Sequence, residues 1–220
     1  KMARRRELDE GLETLTGLLM AMGEHVDHAL SGAMEALEKL DGDAARLIID
    51  ADPLLNRMEE KIADTGARLI VTQQPVAKDL RRILVAFRMA SDLERMGDLS
   101  VDIAKTVLRL QGQTLMKPLV DLPEMARIVR GMVLESIRAY AEENVDLAHK
   151  MARDDDRVDA LYAQILQELF ALMATDPGRT GQAMLLAFVG RYIERIADHA
   201  TNIGESVVYL VAGIRSELNP

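Results

Sequence analysis

A chain of 220 residues can build one large core or two small ones, and this one sets 36 Asp and Glu against 27 Lys and Arg, a formal charge of −9. That acidity, with no basic stripe interleaved with aromatics, argues against a nucleic-acid backbone as partner, while the lack of cysteine rules out disulfides and thiolate metal sites, leaving carboxylate and imidazole as strong ligands. Three Phe, four Tyr and no Trp, beside abundant Leu and Ala and 13 Met, describe packed helices and not sheets.

The basic run ARRR at 3–6 reads as a solvated N-terminal arm. From about Glu7 to Leu40 the apolar residues Leu8, Leu12, Leu15, Leu19, Met22, Val26, Leu30, Ala33 and Leu37 recur at three- and four-residue steps, which predicts a long amphipathic helix. Asp41-Gly42-Asp43 ends it, and a short helical segment follows. Asp52-Pro53 then resets the chain, with Asp52 as an N-cap acceptor and proline at the first helical position. That helix runs to about Val71, Pro75 punctuates, and a long helix spans about Val76 to Leu110. Gly112, Pro118 and Pro123 mark the connection. The second half repeats the plan with helices over about 123–142 and 144–174, the latter interrupted near Asp154–Asp156, and over about 179–216 after Asp176-Pro177-Gly178.

No stretch alternates with period two, so the chain reads as all-α: two tandem, duplicated antiparallel three-helix bundles, 1–112 and 120–216, joined by 113–119. Helices of about 30 residues are about 45 Å long, so the molecule is expected to be elongated. Met89, Met96, Met132, Met173 and Met184 read as core filler. His25, His28, His149 and His199 read as surface or satisfied histidines. No apolar run approaches the roughly 20 residues that cross a bilayer, and no signal-peptide pattern precedes the first helix. The expectation is a cytoplasmic protein that meets a membrane only through partners.

The halves are copies. Residues 93–108 (LERMGDLSVDIAKTVL) align with 193–208 (IERIADHATNIGESVV), matching Glu94, Arg95, Asp98, Ile103 and Val107 with Glu194, Arg195, Asp198, Ile203 and Val207. Upstream the offset is 103, pairing Asp43 with Asp146, Asp52 with Asp155 and Asn56 with Asp159. A period near 100 residues means two similar bundles and not a solenoid.

In a helix, residues four apart share a face, so Glu94, Asp98 and Asp102 form a row beside the apolar arc of Leu93, Met96, Gly97, Val101, Ala104 and Val107. Glu194, Asp198 and Asn202 repeat it, and Asp52/Asn56 and Asp155/Asp159 are four-apart pairs on another helix of each half. Like charges at this spacing weaken a helix by a few tenths of a kcal/mol per pair. Arg95 and Arg195 point about 100° away and do not neutralise a row alone. Hard cations held by oxygen ligands from two helices would, and such a set suits iron, manganese, magnesium, calcium or multinuclear zinc. The bland alternative is a solvated acidic flank with arginine pairs. Catalytic machinery is not legible: there is no Gly-rich phosphate loop and no recognisable nucleophile. A carboxylate-cluster hydrolase or oxidase and a purely structural scaffold remain as alternatives.

The doubled (L/I)-E-R-(I/M)-(G/A)-D-x-x-x-(D/N)-I, preceded about 40 residues earlier by D-x-x-x-(D/N) and, in the first half, by QQP at 73–75, resembles the PhoU family of bacterial phosphate-uptake regulators. The resemblance runs from about Glu7 to Ile214. It implies two three-helix bundles, often a homodimer, with acidic motifs that bind multinuclear iron or zinc clusters. It also implies a non-enzymatic, negative regulator of the phosphate-starvation response, linking the ATPase of a phosphate ABC transporter to a sensor histidine kinase. The motif positions here are Asp52, Asn56, Glu94, Asp98 and Asp102 in one half and Asp155, Asp159, Glu194, Asp198 and Asn202 in the other. Asn56 and Asn202 depart from a full acidic set, so metal content is expected to differ between halves.

Overall fold

The computed structural model describes residues 2–218, with side chains from residue 5 onward. Among them every regular element is helical: α1 (Met2–Lys39), α2 (Gly42–Ala51), α3 (Pro53–Gln73), α4 (Ala77–Leu110), α5 (Asp121–Glu142), α6 (Val145–Thr175) and α7 (Thr180–Ala212), with a 3-10 turn at Pro177–Arg179. α1, α3 and α4 form one bundle, with α2 against α1 and α4, and α5, α6 and α7 form the other.

The stripe from Leu8 to Leu37 is buried as its spacing requires. The basic run is not a free arm, because it is the first turns of α1: Arg5 reaches Asp79 at 2.7 Å and Asp9 at 3.0 Å, and Arg6 reaches Glu10 at 2.8 Å. The side chains of Ala3 and Arg4 lie outside the described residues. α1 stops where Leu40 turns left-handed (φ 50°), and Asp41 then caps α2 by accepting from the Asp43 and Ala44 amides.

Asp52 departs from the expected cap. Its backbone is helical (φ −56°, ψ −42°) and its side chain makes no cap bond, since capping geometry needs an extended residue. Its carboxyl is thereby left to face α4. Pro53 separates α2 from α3 because it supplies no amide hydrogen. The equivalent of Pro53 is Asp156, which keeps its amide, and α6 runs unbroken through the expected interruption at Asp154–Asp156. Lys150 reinforces that stretch by bonding both Glu135 at 2.7 Å and Asp154 at 2.9 Å. α7 ends at Ala212, short of 216, where Gly213 takes φ 72°.

The two halves do not keep separate cores. α4 packs along α7 and α1 along α5, and the buried apolar side chains form one cluster from Leu8 to Leu210. Arg81 Nε donates to Leu210 O at 3.4 Å, while His199 Nδ1 lies 2.8 Å from Asp92 Oδ1. Numbers rise on α4 as they fall on α7, so the helices are antiparallel. α1 meets α5 in the same sense, with Gly23 on Ile137 and Asp27 accepting two bonds from Arg130 at 2.7 and 3.1 Å. Met89, Met96 and Met132 are buried and Met173 partly so, but Met184 is 48% exposed. It shares an outward stripe with Phe188 four residues on, so helical position alone misassigned it to the core.

Gly23 admits the α1–α5 crossing: a Cβ built there would lie 1.8 Å from Ile137 Cδ1. Overpacking costs about 1–3 kcal/mol, against a gain of about 1 kcal/mol from alanine's helix propensity. Gly23→Ala is therefore expected to lower the urea midpoint. A midpoint at or above wild type would mean that Ile137 swings aside freely.

Candidate functional site

The site is built on α4. Gly97 is the opening through which the α2–α3 junction reaches the row: a Cβ there would stand 2.2 Å from Leu55 Cδ1 and 3.9 Å from Asp52 Oδ1. Asp52 thus lies against the turn between Glu94 and Asp98. Burial pushes the Glu94 carboxyl above its ordinary range and the Asp98 charge adds to it, with smaller contributions from Glu59 and Asp52. Asp52 is raised by burial and then by Asp98, while Lys105 and His25 pull it down. Asp102 is raised by burial, opposed by Lys105 and pushed further by Asp98. Asp98 is the common neighbour, and its own ion contact is a long one, 3.5 Å to Arg95.

The second half holds a thinner version. Burial and then Glu194 raise Asp159, and burial and then Asp159 raise Asp198. Asp155 is buried at 5% exposure. Ala197 stands where Gly97 stood, in a half whose α6 has no junction to admit. Arg191 pairs with Glu194, whereas its counterpart in the first half is Ser91. Tyr162 occupies the place of Glu59, and Glu194 acts on its hydroxyl after burial.

The structure therefore groups Asp52, Glu94, Asp98 and Asp102, and separately Asp159, Glu194 and Asp198. Asn56 is exposed, and Asn202 turns toward Asp92, donating from Nδ2 at 3.5 Å. Sequence reasoning missed Glu59 and His25. Glu59 lies seven residues, two turns, beyond Asp52 and so shares its face; the apolar stripe of α1 gave no sign that His25 neighbours Asp52. Among the described residues no three His, Asp or Glu side chains converge as a metal ion requires. The donor type suits a hard cation all the same, since carboxylates of the α2–α3 junction and of α4 raise one another against the partial compensation of Lys105 and Arg95.

The raised carboxyls carry a pH signature. A group whose folded pKa is raised contributes stability fully present below its unfolded value, near 4, and lost as pH climbs through the folded value. His25, lowered by burial, works oppositely below about 6.5, so the row is isolated by difference. In chelator, Glu94→Gln with Asp102→Asn is expected to gain melting temperature over wild type as pH rises from about 4 toward 7. A difference that does not vary with pH would show that the row is not mutually repulsive.

The PhoU domain model matches residues 19–107 and again 122–207, taking in both rows. The chain belongs to the PhoU family. A PhoU homolog of Clostridium acetobutylicum, named a phosphate-specific transport system accessory protein, is 39% identical over 216 residues, 98% of this chain and 99% of that protein. The PhoU accessory protein of Escherichia coli is 34% identical over 202 residues, 92% of this chain and 84% of its own length. The crystal structure of PhoU from Pseudomonas aeruginosa matches with a TM-score of 0.88 at 34% identity, covering 94% of this chain and 99% of that one. The phosphate transport system regulatory protein PhoU of Streptococcus pneumoniae also scores 0.88, at 31% identity over 95% and 99%. The PhoU architecture is thus shared along the whole length, as the doubled motif implied.

Proposed function

We propose that this chain is a non-enzymatic regulator of phosphate homeostasis, an accessory to a phosphate ABC transporter that holds down phosphate uptake and the starvation response. The observation that carries this reading is near full-length similarity to relatives named as accessory to the phosphate-specific transport system. In this reading it touches the transporter's ATPase subunit and a sensor histidine kinase from the cytoplasmic side and works as a homodimer. No helix among the described residues is long and apolar enough to cross a membrane, which agrees with attachment through partners. The acidic rows gather iron or zinc, with the fuller first row the stronger site, because Arg191 partly neutralises the second. Manganese, magnesium and calcium suit the same oxygen donors.

The test is genetic and biochemical together. Deletion is expected to switch on phosphate-responsive genes in phosphate-replete medium, and tagged protein is expected to retain the transporter ATPase and the kinase from native lysate. Unchanged gene expression together with failure to retain either partner would refute the reading. Turnover of phosphoesters or polyphosphate by metal-loaded protein would favour an enzyme instead.

A further inference from the structure

A cleft of about 590 Å³ opens between α4, α7 and the segment after Gly213, which folds back over α7. The fold-back is anchored by the Leu218 amide, which donates to Glu205 Oε1 at 3.0 Å. Arg88 of α4 and Arg215 of the returning segment both lie over the Tyr209 ring, 5.8 and 5.7 Å from its centroid. Neither guanidinium has a carboxylate partner among the described residues, although the chain carries nine more acidic than basic side chains. Two of the three carboxylates of the cleft are already engaged: Asp92 by His199 and Asn202, and Glu205 by Leu218. Its hydroxyl donors are not. Ser206 is buried at 8% exposure without a hydrogen bond among the described residues, whereas its duplicate Thr106 bonds the Asp102 carbonyl at 2.9 Å. Ser91 lines the same wall. Glu217 is the one acidic side chain left uncommitted there.

Two fork-shaped cations with spare donors, three free serine hydroxyls and two of three carboxylates engaged elsewhere suit an oxyanion, since guanidinium pairs match a tetrahedral anion through charge-assisted bonds. We propose that this cleft binds a phosphoryl-type oxyanion between Arg88 and Arg215, with Ser91 and Ser206 completing the donor set. The volume falls in the range of small-molecule sites and exceeds what a lone anion fills, so the phosphoryl group can arrive as inorganic phosphate or at the end of a nucleotide. The proposal goes beyond the regulatory reading, since binding is measured on the isolated chain with no signalling partner.

Isothermal titration of the full chain at low salt, with inorganic phosphate and separately with ATP in chelator, tests it. Saturable binding of at least one is expected, weakened about tenfold or more by Arg88→Gln or Arg215→Gln and lost in the double variant. Both arginines are exposed, so the variants retain the fold, and Arg127→Gln, far from the cleft, is expected to bind as wild type. Tighter binding of ATP than of phosphate identifies a nucleotide ligand, and equal or weaker binding identifies the free anion. No saturable binding of either, or binding that the double variant leaves unchanged, overturns the proposal.

Discussion

Tyr140→Ala is expected to lower the unfolding free energy by about 3–5 kcal/mol, the range for emptying a buried aromatic site. Tyr140 is fully buried and is the largest such side chain. It joins the halves: its hydroxyl donates to the Arg82 carbonyl at 3.1 Å, and the Arg82 guanidinium lies 4.9 Å from its ring centroid. Arg82 in turn bonds Glu143 at 2.9 Å, and Lys78 pairs with the same carboxylate. Burial, more than the opposing Arg82 charge, pushes the phenol up to about 12, so it stays a neutral donor throughout the working range of pH. Tyr140→Phe keeps the ring and loses the hydrogen bond, for which about 1 kcal/mol is the expected cost. Urea titration of both variants separates packing from bonding. Because one core spans both halves, the loss is expected as a single shifted transition. A cost under 1 kcal/mol for Tyr140→Ala, or two resolved transitions, would mean that the halves are held together elsewhere.

Elemental analysis of protein purified without chelator is expected to find transition metal in wild type and none in the Asp98→Ala, Asp198→Ala double variant, with helical circular dichroism unchanged. Asp98 acts on Asp52, Glu94 and Asp102, so removing it dismantles the first donor set at its hub. Asp198 neighbours Asp159 and plays the matching part. Each single change is expected to empty one half. Stability of the metal-free double variant should hold or rise by a few tenths of a kcal/mol per relieved pair, because the exposed 3.5 Å contact of Asp98 with Arg95 is worth little. A structural role for these carboxyls predicts the reverse, a metal-free melting temperature lowered by a loss of about 1–3 kcal/mol. Unchanged metal content would refute the metal assignment and leave family membership standing.

The helices and the rows were legible because each is a local pattern. The stripe from Leu8 to Leu37 is a 3.6-residue period, and the pairing of Glu94 and Asp98 with Glu194 and Asp198 is a repeat that one chain displays to itself. What escaped was whatever the repeat does not copy. Asp92 and His199 sit 107 positions apart, and their duplicates are Tyr192 and Leu99, so comparing the halves hides the contact. The α6 interruption was inferred by analogy with Asp52-Pro53, although the physical cause of that break, the proline, is absent from the second copy. The cap assigned to Asp52 followed from residue type alone, while its helical backbone turned the carboxyl toward α4. Counting copies predicts two bundles and is silent on the single core that joins them. That α4 and α7 are buried around most of their girth, with Leu99, Ser100 and Val101 covered in succession, shows a pair of central helices.

The antiparallel seating of α4 on α7 also shapes how the chain is born. The Arg81–Leu210 bond spans 129 residues, so at about 5–20 residues per second α4 emerges from the ribosome roughly ten seconds before the helix that covers it. During that interval its apolar flank has no mate in its own chain. It has one in a neighbouring chain that has already completed its own α7, which offers the same covering surface. Crowded translation on one message is therefore expected to yield exchanged dimers, the second half of one chain seated on the first half of another.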